Sequence, residues 1–126
     1  MMNCHLRSLY LCVEDMDRAI RFYEAFFEHP VAERDPVYSV FDIAGFRLGL
    51  FAYRVQGETH GFGSNCLPSV EVESLEMLKC KLEGKKVVFP ITKIRGKWVS
   101  EFEDSESNRI ELTAPIGAGE EASRGD

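Results

Sequence analysis

No apolar stretch in this chain approaches the roughly 20 residues that a membrane-spanning helix needs. The four cysteines, at 4, 12, 66 and 80, include no pair with the close spacing of a zinc or redox motif. Only three histidines are present, at 5, 29 and 60, which leaves few imidazoles for a metal. Arg7 interrupts the first apolar residues, and Glu14 and Asp15 follow soon after, so the start does not have the pattern of a secretory signal. Reduced thiols in a cytoplasmic protein are the expectation, with a Cys4–Cys66 bridge left open. Net charge is −6, which disfavours a phosphate-backbone partner. Neither nucleic acid nor membrane is expected as a partner. The basic residues between Lys79 and Lys97, and the acidic run from Glu101 to Glu111, read as solvated faces.

What is present is a pattern that occurs twice. At a constant offset Leu11 meets Val70, Val13 meets Val72, Glu14 meets Glu73 and Asp15 meets Ser74. Met16 then meets Leu75, Tyr23 meets Leu82 and Glu24 meets Glu83. Further on, Asp42 to Leu50 can be laid on Asp104 to Leu112. With 126 residues and 44% apolar side chains, the chain is long enough for one domain with a modest core.

Leu9, Leu11 and Val13 alternate with Ser8, Tyr10 and Cys12, the period of a strand. Asp15 can cap a following helix, because its carboxylate accepts orphan backbone N–H groups. Met16, Ala19, Ile20, Tyr23, Phe26 and Phe27 recur at helical spacing, and Pro30 is expected to stop that helix. Val37–Phe41 and Phe46–Phe51 read as a hairpin about Ala44-Gly45. Residues 53–65, with three glycines, read as a linker or mobile loop. In the second half Val70 and Val72 mark a strand, Ser74 caps a helix with Leu75, Leu78 and Leu82 facing inward, and Gly84 suits a left-handed C-terminal position. Val87–Phe89 reads as a short strand. Trp98–Glu103 and Arg109–Thr113 form a closing hairpin. The expected fold class is α+β: two βαβββ modules, about 6–52 and 66–114, whose strands curl into one mixed sheet or cup with the helices outside. They would form a single domain over 1–115. Residues 116–126 lack large apolar side chains and are expected to be a flexible tail.

Leu11-x-Val13-x-Asp15 followed by Ala19-Ile-Arg-Phe-Tyr23, and Phe102-Glu-Asp104 through Asn108-Arg-Ile-Glu-Leu112, resemble the first strand and helix and the closing motif of the vicinal oxygen chelate superfamily. That family holds glyoxalase I, bleomycin-resistance and fosfomycin-resistance proteins and extradiol dioxygenases. The resemblance covers about residues 6–114. It departs at 104–107, where the family often has Asp-Pro-x-Gly and this chain has Asp-Ser-Glu-Ser.

The resemblance implies up to four metal ligands, one on each of four strands. Those positions fall at Ser8, Gly49, Leu67 and Glu111, so only one carries a metal-binding side chain. A divalent transition ion needs at least three protein donors, and no metal or other cofactor is expected. Donors from elsewhere are not evident. His5 is placed by strand alternation on the face opposite Ser8. His60 reads as a solvated loop residue, and His29 sits at a helix end, where an imidazolium suits the dipole.

Alternation places Ser8, Tyr10 and Cys12 on one face, Arg47 with Gly49, Arg109 with Glu111, and Leu67 with Ser69 and Glu71. This mixture of apolar walls and a few charges is the composition of a small-molecule site. Each residue has a plainer reading. Arg109 and Glu111 pair with each other or with Arg47, Tyr10 fills space, and Cys12 is an inert small residue. Trp98, Phe102, Phe41 and Phe51 belong to the core or supply stacking surface. If buried away from a cation, Glu111 takes up a proton readily and serves as a general base.

Three functions therefore stand at this point. The first is a metal-free protein resembling the bleomycin-resistance branch, binding a drug or metabolite in the cup or in a dimer groove. The second is a glyoxalase-type, lactoylglutathione lyase-like metal-dependent lyase or isomerase. The third is metal-free acid–base catalysis by Glu111, with Arg109 or Arg47 holding an anionic substrate. The resemblance also implies a homodimer.

Overall fold

The structure is a computed structural model that describes residues 2–3, 6–57 and 66–117. The chain divides into two compact units, Met1–Phe62 and Gly63–Asp126. Cys4, His5, His60 and most of the expected tail lie outside the described residues.

The first unit opens with strand β1 (Ser8–Val13) and helix α1 (Met16–Phe27). The Asp15 carboxylate accepts a hydrogen bond from the Arg18 N–H at 3.0 Å, the cap that its position predicts. Met16, Ala19, Ile20, Tyr23 and Phe26 are buried along one stripe. The helix ends three residues before Pro30, because Glu28 turns left-handed (φ 54°) and its N–H closes on the Glu24 carbonyl. Strands β2 (Tyr38–Ile43) and β3 (Phe46–Ala52) form a hairpin, with Ala44 and Gly45 both at positive φ. That is the backbone a tight two-residue turn requires. The sheet order is β1-β3-β2, with β1 parallel and β2 antiparallel to β3.

Among its described residues this unit holds three strands, where the duplicated plan implied four. In place of the fourth is an isolated bridge between Glu33 and Val40. Leu48, Leu50, Ala52, Phe41, Leu11 and Val13 are buried on one face of the sheet. Tyr23 and Phe27 of α1 meet Phe41 there, at centroid distances of 6.2 and 5.8 Å. Each such side chain taken out of water contributes about 1.5–3 kcal/mol. After β3 the chain makes a 3-10 turn, Tyr53–Gln56, with Tyr53 buried. The start of the expected 53–65 loop is therefore ordered structure, and 58–65 lie outside the described residues.

The second unit has the full βαβββ order: β4 (Ser69–Glu71), α2 (Leu75–Leu82), β5 (Lys86–Ile94), β6 (Lys97–Glu103) and β7 (Arg109–Pro115). Its sheet order is β4-β7-β6-β5, with β4 parallel to β7 and the other pairs antiparallel. Ser74 caps α2 through the Met77 N–H, and Gly84 takes positive φ. Leu78, Leu82, Phe102, Ile110, Leu112 and Ala114 make the core. β5 is three times the length expected. It continues through Pro90 by shifting register between Val87 and Phe89 and again between Phe89 and Thr92, the device that lets a proline stay in an outer strand. At the 104–107 departure the carboxylate of Asp104 holds the turn. It accepts the N–H groups of Glu106 and Asn108, each at 2.8 Å, and Ser107 takes the positive φ.

Candidate functional site

Register fixes which side chains share a face. In the first sheet Ser8 lies opposite Arg47, Tyr10 opposite Gly49, and Cys12 opposite Phe51. Across β3, Arg47 is paired with Asp42, Gly49 with Val40 and Phe51 with Tyr38. Ser8, Tyr10, Cys12 and Arg47 therefore do share the face turned away from α1, with Tyr38, Phe51 and Asp42 beside them.

The centre of this face is Gly49. A Cβ there would lie 2.3 Å from the Tyr10 ring, so the ring occupies the space that a side chain at 49 would need. Tyr10 meets Tyr38 at right angles (87°, centroids 6.0 Å apart), and Tyr38 stacks flat on Phe51 (4°, 4.9 Å). Tyr10 is 44% exposed and Tyr38 48%. The backbone N–H groups of Val37 and Tyr38 donate to the Asp35 carboxylate at 2.9 and 3.0 Å. The bond from Tyr38, then that from Val37, holds the Asp35 carboxyl below the usual carboxylate range.

Arg47 is paired with Glu33, Nη2 to Oε2 at 2.9 Å. That hydrogen bond and the accompanying charge push the guanidinium pKa further up, and Asp42 and Tyr10 add to the effect. The partner of Arg47 within its own unit is thus Glu33, a residue the sequence did not single out. Glu33, carried by the segment that makes the isolated bridge, reaches the guanidinium first. Cys12 is half-buried, Cys66 and Cys80 are exposed, and none of the three is in a disulfide.

In the second sheet Ser69 lies opposite Glu111, Glu111 opposite Glu101, and Arg109 opposite Glu103. The Ser69 hydroxyl donates to Glu111 Oε1 at 2.6 Å. Arg109 forms no ion pair among the described residues, so the expected Arg109–Glu111 bridge is absent there. Glu71, on the same face, pairs instead with Lys97 at 3.6 Å. Leu67 is exposed and lies two residues before β4. His29 is exposed at the end of α1, with its ring Nδ1 2.9 Å from the Pro30 carbonyl oxygen.

Tyr38 and Glu33 were not among the side chains that the sequence pointed to. Tyr38 was legible in principle: continuing the alternation from Asp42 and Val40 puts it on the same face. Glu33 precedes the hairpin in irregular chain and carried no periodic signal.

The fold is that of the vicinal oxygen chelate proteins, the glyoxalase/bleomycin-resistance/dioxygenase type. A glyoxalase-related enzyme from Fulvimarina pelagi superposes with a TM-score of 0.72 at 16% identity, covering 90% of this chain and 93% of that one. A glyoxalase/bleomycin resistance protein/dioxygenase from Nocardioides gives 0.71 at 18%, over 94% and 89%. A protein from Agrobacterium tumefaciens solved by NMR gives 0.74 at 22%, over 91% and 100%. No protein-family model and no curated protein matches the sequence.

The divalent ion that this fold implies does not fit these residues. Of the four corresponding positions, Ser8 offers a hydroxyl, Gly49 is bare and covered by a tyrosine ring, Leu67 is aliphatic, and only Glu111 is a carboxylate. Among the described residues no three His, Cys, Asp or Glu side chains come together in a way that could hold a metal ion. No described helix is long and apolar enough to cross a membrane.

Proposed function

We propose that this chain is a metal-independent small-molecule binding protein of the bleomycin-resistance kind, taking a drug or metabolite on the open face of its first sheet. It acts as a cytoplasmic homodimer, with neither nucleic acid nor membrane as partner. Ser8, Tyr10, Cys12 and Arg47 line this face, and Leu67, Ser69, Arg109 and Glu111 are the corresponding side chains of the second unit. One observation carries the reading. The Tyr10 ring fills the place where a donor at position 49 would stand, which converts a chelating position into an aromatic surface.

The test is metal analysis of protein purified without chelator, joined to a ligand screen by native mass spectrometry. Well below one equivalent of any transition metal, an unchanged melting temperature in EDTA, and a compound retained in the spectrum are expected. Stoichiometric metal whose removal lowers the melting temperature would overturn the reading, as would a screen that retains no compound. Sedimentation velocity should give twice the 14.3 kDa chain mass.

A second reading, metal-free acid–base chemistry, has one observation in its favour. Glu111 Oε1 accepts a hydrogen bond from the Ser69 hydroxyl at 2.6 Å, within the reach that a general base needs of the proton it abstracts. Unchanged turnover in Glu111→Gln, for any substrate found, would remove it.

A further inference from the structure

We infer that Tyr10 and Tyr38 form a two-walled corner for an uncharged planar aromatic or heteroaromatic ring system that carries a hydrogen-bond acceptor on its rim. The inference rests on the small-molecule reading above and names the chemistry of the ligand.

The corner is made of two rings at right angles, their centroids 6.0 Å apart, each nearly half exposed. Aromatic pairs prefer offset stacks and edge-to-face contacts. A flat guest laid on one wall meets the other edge-on, so both preferred geometries are available to it at once. A saturated, puckered ring of the same size gains neither.

Both walls are held in place without the guest. Tyr38 is backed by Phe51 in a parallel stack at 4.9 Å, and its N–H is anchored on Asp35 at 3.0 Å. Tyr10 is seated over Gly49. Binding therefore spends little side-chain entropy, one of the costs that association must meet.

The polar side of the corner is Arg47. A guanidinium has five N–H donors, and among the described residues the one bond it makes is Nη2 to Glu33. Its side chain is 38% exposed, which leaves donors for an oxygen or ring-nitrogen acceptor. Charge decides the rest. One cation, Arg47, faces two carboxylates, Glu33 and Asp42, so a carboxylate or phosphate on the guest finds no net attraction. A cation fares no better, because the donors left on Arg47 belong to a guanidinium that repels it, so the guest is uncharged.

The experiment uses the full chain with coumarin, flavone and acridone as planar probes, and 2-decalone as the saturated control. Binding is followed by NMR on the tyrosine ring signals. At least one planar probe should shift the Tyr10 and Tyr38 rings with a saturable isotherm. Tyr10→Leu and Tyr38→Leu should each weaken it about tenfold, Arg47→Met less, and decalone should shift neither ring. The inference fails if no planar probe moves either ring at millimolar concentration, if decalone binds as well, or if both leucine variants, folded by circular dichroism, bind unchanged. A compound from the screen that binds and ignores both substitutions leaves the binding function standing and removes the corner. An empty screen removes both.

Discussion

Gly49 is a residue whose identity is set by a neighbour rather than by its own backbone. Tyr10 takes the room its side chain would need. Gly49→Ala forces the ring out of its seat, and overpacking of this kind costs about 1–3 kcal/mol. The expected result in urea denaturation is a loss in that range. Most of it should be recovered in Tyr10→Ala/Gly49→Ala, because two groups competing for one space do not add. Asp35 acts through charge. Its folded pKa lies below the ordinary value because the Tyr38 and Val37 N–H groups favour the carboxylate. A group lowered on folding contributes stability above its unfolded pKa and loses it as pH falls through the folded one. Stability should therefore decline on acidification below about pH 4, and Asp35→Asn should flatten that part of the curve. Chemical denaturation at a series of pH values measures it.

The helices begin where capping chemistry says they must. Asp15 and Ser74 each accept an N–H three residues on. Asp15→Ala and Ser74→Ala should each cost about 1 kcal/mol, read from denaturant midpoints. The first helix's buried stripe was legible because its spacing repeats every three or four residues. Its end was not: Pro30 marks where the helix cannot continue, whereas Glu28 decides where it stops by adopting a left-handed backbone without glycine. β5 was misjudged for a related reason. A strand does not ordinarily run on through a proline, yet two register shifts absorb the missing N–H of Pro90, and such shifts leave no periodic trace. The partners in the site divide the same way. Alternation grouped Tyr10 with Ser8 and Cys12, Arg47 with Gly49, and Arg109 with Glu111, because a strand has only two faces; the register between strands is what brings Tyr10 to Gly49 and Ser69 to Glu111. Alternation cannot say that Arg47 turns to Glu33, since that depends on where an irregular segment runs.

At the scale of the whole molecule, the duplicated pattern led to the fold but overstated its symmetry. The second unit keeps the full strand complement, while the first retains only the Glu33–Val40 bridge where a strand would run. The difference matters for chemistry. The segment that keeps only this bridge supplies Glu33, whose side chain takes up Arg47 on the aromatic face.

The outer strands of the four-stranded sheet carry a last consequence, for solubility over time. An unpaired strand border is a template on which another polypeptide can polymerise. One border, β4, is three residues long, and the other is bent at Val87–Phe89 and Phe89–Thr92 around an imino acid. Neither offers the straight row of donors and acceptors that fibril growth requires. Pro90→Val should leave the protein's melting temperature nearly intact yet shorten the lag before thioflavin-positive deposits form on prolonged incubation. The proline would then be a guard against self-templating rather than a contributor to folding.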